Sequence, residues 1–421
     1  MKRIFNNNKL FSNTFSLYLL TLAKILFPLI SLPYLTRVLS TDCYGVVSYV
    51  KSYIVYAQLI VDFGFILSSV KDILKANDNV ETIGHITGDT FLAKTILGLL
   101  ALLVTIVVSF CLPILKNYFW FTLLSFLVVF LSCYLADFLF RGLEKMHYIA
   151  ITFVVMKGIS TALTFVFVHG DSEIMWIPIL DIASSLIAVF ITFLIIIFKL
   201  KIKIRITSLK SAFIKIKESF FYFVSNMATT AFGALNTLLI GIFIADLTQV
   251  AFWSVCGTIV AAIQSLYTPI TNGIYPYMVK NKELRLIHKT MCIVLPILFV
   301  GATIGFVFSK TVLLIVAGDK YVGAFWLLRL LIPLMIISFP SMLYGWPTLG
   351  CVEKVKETTL TTLIAAIVQI AGLFLLVLIN RFTLVNLAIL RTVTEIILFA
   401  SRAFLTYKYR KLFNNKTEEA V

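Results

Sequence analysis

Apolar runs of about 20 residues, separated by short polar hinges, recur along almost the whole chain. In hydrocarbon every backbone donor and acceptor must be satisfied within the segment or with a neighbour, so runs of this length predict transmembrane helices. About twelve can be drawn, near 12–37, 44–70, 91–112, 118–140, 148–168, 174–198, 219–245, 250–278, 290–309, 322–349, 359–379 and 385–407. With 60% hydrophobic residues in 421, little chain remains outside a bilayer. The expected fold is an all-α, polytopic integral membrane protein.

Lysine and arginine set the expected orientation. Lys2, Arg3, Lys9, Lys71, Lys75, Arg141, Lys145, the run from Lys199 to Lys217, the group from Lys280 to Lys289, Lys354, Lys356, Lys408, Arg410, Lys411 and Lys416 fall on one side. Only Arg37, Lys116, Lys310, Lys320 and Arg381 fall opposite. This asymmetry predicts cytoplasmic N and C termini, in agreement with an even number of spans. The densest basic stretch, from Lys199 to Lys217, alternates charge with Ile and Phe, so it reads as an interfacial segment near anionic lipid headgroups. It divides the chain into two expected six-helix lobes, 1–205 and 206–421.

Several function classes are disfavoured. The net charge of +16 is spread over separate loops without a recognition module, which argues against nucleic acid as a partner. There is no phosphate-binding G-x-x-x-x-G-K-[ST] loop, and His85, His147, His169 and His288 are isolated, so neither a nucleotide motor, a metal site, a cofactor nor a hydrolase is expected. The first apolar stretch is long, carries Lys24, and lacks a small-residue cleavage pattern, so it is read as retained. Among six cysteines only Cys43 and Cys111 could both face outside.

What remains distinctive is charge inside the apolar runs. A lysine at the bilayer centre costs roughly 2.5 to 3.5 kcal/mol on insertion scales and needs a partner, water or a substrate. Lys24, Lys51 and Lys157 sit near mid-span, which predicts a hydrated cavity suited to an anion. In the second span Tyr44, Ser48, Lys51, Val55, Gln58 and Asp62 share one helical face. Lys51 and Asp62 are about 16 Å apart along it and cannot pair with each other. Lys51 is therefore either a substrate anchor or half of an interhelical salt bridge, and Asp62 either an H+ or Na+ carrier or a bridge partner. Pro28 and Pro33 loosen the first helix one turn beyond Lys24 and suggest a gate, unless Lys24 simply pairs with an aspartate such as Asp181. Lys94 and Asp137 lie nearer span ends and are expected to snorkel. In the second half, Ser225, Thr229, Gly233, Asn236 and Ile240 form a small polar face for helix packing or for lining a path. Arg329 lacks a local acid and is a further candidate anion contact, whereas Arg391 and Glu395 are spaced for an intrahelical pair.

Three stretches resemble a known family. Pro28-Leu-Ile-Ser-Leu-Pro-Tyr-Leu-Thr-Arg-Val-Leu39 with Tyr44-Gly45, then Val61-Asp62-Phe63-Gly64-Phe65, and Arg141-Gly142-Leu143-Glu144-Lys145-Met146 are similar to motifs of the polysaccharide-biosynthesis flippases, the Wzx-type O-antigen translocases of the MATE-like superfamily. Ser40-Thr41-Asp42-Cys43 departs from the family's usual Gly-Pro-Glu turn, and Arg141 stands where glutamine is common. The resemblance implies two six-helix lobes around a cationic cavity. It implies a substrate that is an undecaprenyl-pyrophosphate-linked oligosaccharide, carried to the outer leaflet of the bacterial inner membrane. Lys24, Lys51, Lys157 and Arg329 would attract the pyrophosphate and acidic sugars. Asp62, Pro28, Pro33 and Arg37, which falls in the first motif, would serve ion coupling or gating. Membrane lipids, H+ or Na+, and a glycan polymerase and chain-length regulator of the same pathway are the implied partners. The alternatives are a cation-coupled small-molecule exporter, which should prefer acids in its cavity, a membrane glycan polymerase, which should need a larger external loop, and a non-transporting scaffold for glycan assembly.

Overall fold

The computed structural model describes residues 7–76, 79–230 and 233–413. Lys2, Arg3 and Lys416 lie outside them, as do the side chains of Lys9, Ser225 and Thr229. Among the described residues all regular structure is helical. In chain order the helices are α1 (Asn7–Val38), α2 (Thr41–Asp62), α3 (Phe65–Lys75), α4 (Val80–Cys111), α5 (Pro113–Asn117), α6 (Phe119–Ser132), α7 (Asp137–Gly142), α8 (Met146–Phe167), α9 (Trp176–Leu194) and α10 (Leu209–Thr230). They continue with α11 (Ala234–Phe243), α12 (Leu247–Ser265), α13 (Tyr267–Asn281), α14 (Leu284–Val307), α15 (Ser309–Ala317), α16 (Phe325–Leu343), α17 (Val355–Leu378) and α18 (Leu384–Lys408).

Eleven helical stretches among the described residues are long and apolar enough to cross a bilayer. The expected seventh span, 219–245, contains residues 231 and 232, which lie outside the described residues. Its described parts are the end of α10, whose first half carries Lys210, Lys215, Lys217 and Glu218, and α11, whose 10 residues rise about 15 Å. Gly233, at φ −114° and ψ −84°, is non-helical immediately before α11.

Local chemistry sets the helix ends. Ser40 accepts a hydrogen bond from the Cys43 N–H to start α2, and Asn79 accepts from Glu81 and Thr82 to start α4. Asp246 and Thr383 do the same for α12 and α18. α2 stops at the left-handed pair Phe63 (φ 39°) and Gly64 (φ 84°). A side chain at Gly64 would also meet the Tyr222 Cβ at 2.5 Å, so glycine is required there twice over. By contrast, α1 runs through Pro28 and Pro33 as one helix. The two prolines leave the Lys24 and Leu29 carbonyls without their usual i+4 donors.

Contacts divide the chain into two compact units, Met1–Met227 and Ala228–Val421. The division lies beyond the basic linker because that linker is bound to the first unit. After a left-handed Lys201 (φ 55°), residues 202–207 run without helical structure along the first turns of α4, with the Arg205 N–H on the Gly84 carbonyl at 3.2 Å and the Thr207 N–H on Asp89 Oδ1 at 2.7 Å. Arg205 also reaches Glu81 at 2.6 Å. Further on, Lys215 pairs with Asp72 at 2.7 Å, and the Ser219 and Ser68 hydroxyls lie 2.6 Å apart.

Within the first unit α8 packs between α1 and α9, α6 lies against α9, and α2 contacts α4 and α6. Phe91, Phe138, Leu139, Phe140, Tyr148 and Ile196 form its main core. In the second unit α16 packs on α12, α14 and α18, around Tyr267, Met278, Phe339 and Leu343. Large apolar side chains such as Leu103, Phe110, Ile297 and Phe374 remain more than half exposed, as helices facing lipid require.

Candidate functional site

Two charged clusters lie inside the first unit, and both are built from polar and charged residues set within apolar sequence. The first surrounds a cavity of about 340 Å³ lined by Lys24, Gln58, Asp62, Lys94, Ser132 and Asp137 together with apolar side chains. Gln58 and Asp62 stand one turn apart at the end of α2, and the Gln58 amide donates to Asp62 Oδ2 at 2.9 Å and to the Ser132 hydroxyl of α6 at 3.0 Å. Lys94, from α4, is almost fully buried and meets Asp62 Oδ1 at 3.1 Å. Its side chain turns inward instead of snorkelling, because α4 runs from Val80 to Cys111 and places it four turns from the start.

Asp137 opens α7 directly after Ala136, whose φ of 56° turns the chain. It lies within electrostatic reach of Lys94, Arg141, Asp62 and Lys24. The Lys24 ammonium sits 5.6 Å from the centre of the Phe153 ring on α8. Among the described residues Lys24 forms no close ion pair, so the expected alternative of a Lys24–Asp181 bridge is not the arrangement present.

Asp181 belongs to the second cluster. Its Oδ1 accepts from Lys157 Nζ at 2.8 Å and from the Ser160 hydroxyl at 2.6 Å. Lys157 and Ser160 lie one turn apart on α8 and Asp181 on α9, the two helices that pack most closely in this unit. Lys51, midway along α2, is exposed and within electrostatic reach of both Asp181 and Lys157. The Lys157 and Asp181 side chains are 31% and 21% exposed, so the pair adjoins open space although it sits mid-span. Two lysines against one aspartate leave this cluster cationic.

The remaining candidates lie elsewhere. The Arg37 guanidinium donates to the Pro33 carbonyl at 2.8 Å at the end of α1. In the second unit Arg329 Nε donates to the Phe306 carbonyl and to Ser309, and its guanidinium stacks between Phe306 and Phe325 at 4.9 and 5.1 Å. These contacts join α14, α15 and α16. Arg391 and Glu395 form the intrahelical pair that their spacing predicted, at 2.9 Å. Asn236, from the small polar face, bonds with Gln369, which accepts in turn from Thr394. Cys43 and Cys111 are both free thiols.

Sequence reasoning missed Arg402. It is 8% exposed and donates to the Ser341 carbonyl at 2.8 Å and to the Thr362 and Thr361 hydroxyls at 3.0 and 3.3 Å. It fits because α16 ends in a π-turn whose Gly345 leaves helical geometry at ψ −115°, and a Cβ there would stand 2.9 Å from the guanidinium. The only available signal was an arginine seven residues beyond Glu395 in an apolar run, two turns along the same face.

Comparison with known proteins gives consistent results. Residues 10–282 match the model of the family described as "Polysaccharide biosynthesis protein". Two relatives, each named "Putative O-antigen transporter", come from Escherichia coli K12 and Shigella dysenteriae. The first is 25% identical over 88% of this chain and 91% of the relative, the second 29% identical over 64% and 67%. Among solved structures, an inward-facing multidrug resistance MATE family transporter of the MOP superfamily has a TM-score of 0.71, at 11% identity over 93% of this chain and 96% of that one. A eukaryotic MATE transporter has a TM-score of 0.62, at 15% identity over 96% and 99%. These two likenesses show the fold, which is MATE-like. With eleven apolar helical stretches among the described residues and relatives of this kind, the molecule is a multi-pass protein of the bacterial inner membrane. The chain belongs to the polysaccharide biosynthesis protein family, the Wzx-type flippases of MATE-like fold.

Proposed function

We propose that this protein is a flippase that carries polyprenyl-pyrophosphate-linked oligosaccharide repeat units from the cytoplasmic to the outer leaflet, with both termini in the cytoplasm. The observation that carries the reading is the cationic cluster of Lys51, Lys157 and Asp181, accessible at mid-span in a chain of this family. A dianionic headgroup entering low dielectric needs positive charge, and its attraction to a lysine strengthens as water is excluded. Lys51 and Lys157 supply that charge, while Lys24 supplies a further cation over the Phe153 ring. The polyprenyl tail stays in lipid. Arg329, held by a carbonyl, a hydroxyl and two rings, serves in this reading to hold α16 to α14 and α15.

Binding alone moves nothing; the substrate must favour one conformation over another. Asp62 is assigned the coupling to H+ or Na+, because it is the carboxylate shared by Lys94 and Gln58 at the edge of the cavity. Neutralising it would release Lys94 and thereby change the electrostatics of α2 and α4 together.

The test is deletion of the gene in its source cell, with lipid-linked glycan assayed by leaflet. Complete repeat units should accumulate on the cytoplasmic side and be cleared by wild type but not by Lys51→Ala at equal protein level. Normal outer-leaflet units with only polymer missing would move the protein to the polymerase class.

A further inference from the structure

Asp181 does more in this geometry than neutralise a lysine. Its Oδ1 accepts two hydrogen bonds from α8, from Lys157 at 2.8 Å and Ser160 at 2.6 Å, and Lys51 on α2 lies within its electrostatic reach. One carboxylate therefore serves two lysines that both adjoin open space. An acidic ligand arriving at Lys51 and Lys157 meets a site already occupied by an acid of the protein itself.

We infer that Asp181 is an internal stand-in for the substrate's acidic group, held on Lys157 and Ser160 when the site is empty and displaced when pyrophosphate binds. The inference rests on the flippase reading and deepens it, by naming the group that sets how tightly the headgroup is held. Its physical logic is competitive. Apparent affinity falls by the fraction of molecules in which the lysines are free, so a resident carboxylate weakens binding in proportion to its own occupancy. The same competition speeds release, because Asp181 returns to Lys157 as the headgroup leaves. It also spares the empty carrier an uncompensated pair of lysines in low dielectric.

A carboxylate serving only as an interhelical brace makes the opposite prediction. Its removal would loosen α8 from α9 and scatter the lysines, so anion binding would weaken or stay the same.

The experiment measures binding of inorganic pyrophosphate, and separately of a polyprenyl pyrophosphate in detergent, to the purified full-length protein. Asp181→Asn should bind both about 5-fold or more tightly than wild type, the lower end of ordinary coupling between sites. Asp181→Glu, which keeps the competing charge, should bind like wild type. The gain should disappear in Asp181→Asn combined with Lys157→Gln. Tightening for the lipid alone, with inorganic pyrophosphate unchanged, would overturn the assignment, because the competition is for the phosphate group. Should Asp181→Asn fail to fold, Ser160→Ala removes one of the two bonds that hold the carboxylate and should tighten binding in the same direction. Equal or weaker binding in every folded variant, including absence of binding throughout, overturns the inference. Tighter pyrophosphate binding in a protein that moves no lipid-linked glycan would leave the exchange standing and defeat the flippase reading; transport with no tightening would do the reverse.

Discussion

Lys94 Nζ lies 3.1 Å from Asp62 Oδ1, which ties the middle of α4 to the last turn of α2 at the edge of the first unit's cavity. The two partners differ in surroundings, the lysine being 7% and the aspartate 33% exposed. Removing the acid therefore leaves the more deeply buried charge without its partner. Asp62→Asn is expected to destabilise the protein by about 1 to 3 kcal/mol, below the usual 3 to 5 for a fully buried pair because water reaches the aspartate. Thermal unfolding in detergent checks this, and Asp62→Leu with Lys94→Met should recover most of the loss. In vesicles with imposed and collapsed gradients, Asp62→Asn should lose the dependence of transport on the gradient; an unchanged dependence would remove Asp62 from the coupling step.

Lys24 should separate stability from function. Its ammonium stands over the Phe153 ring without a close ion pair among the described residues, so Lys24→Ala gives up a cation–π contact of about 0.5 to 2 kcal/mol and a longer-range attraction to Asp137. The variant is expected to reach wild-type levels in the membrane while clearing lipid-linked glycan several-fold more slowly. Equal clearance at equal abundance would exclude Lys24 from the path.

Gly84 and Gly88 form a notch in α4 that receives the linker. A Cβ at Gly84 would stand 2.2 Å from the Lys203 carbonyl oxygen, and one at Gly88 would stand 2.2 Å from that of Arg205. Neither oxygen is the end of a flexible side chain, so the linker must leave the groove. Gly88→Ala should expose the linker to protease at Arg205 and lower the melting temperature, whereas Ala at Gly170, which has open space around it, should do neither.

Arg402 and Gly345 should behave as one unit. Gly345→Ala pushes against the guanidinium, and Arg402→Gln leaves the Ser341 carbonyl short of its donor. Each is expected to cost about 1 to 3 kcal/mol. The double variant should cost clearly less than the sum, as measured by unfolding of the purified protein.

The parts of this architecture that depend on segment length and polarity were legible from residues alone. Apolar runs gave the spans, the Arg391–Glu395 spacing gave its pair, and the mid-span positions of Lys24, Lys51 and Lys157 marked the unit that holds the charged clusters. Pairings across helices were not legible, because they depend on which faces meet. Asp181 could as well have answered Lys24 as Lys157, and only the packing of α8 on α9 decides between them. Lys94 stands near the start of the apolar run at 91, which suggests snorkelling, but the helix that carries it begins at Val80. In the seventh span, hydropathy does not register the non-helical backbone angles at Gly233. Arg402 escaped notice because its acceptors are a carbonyl and two threonines from distant segments, and none of these leaves a pattern in its own neighbourhood.

The most direct test of the account is transport by the purified protein in liposomes loaded with a fluorescent polyprenyl-pyrophosphate oligosaccharide, read by quenching from outside. Wild type should move the lipid between leaflets, and Lys51→Ala with Lys157→Ala should reduce the rate to that of empty liposomes while leaving the protein folded. A double variant that transports at the wild-type rate would contradict the cationic path on which the account depends.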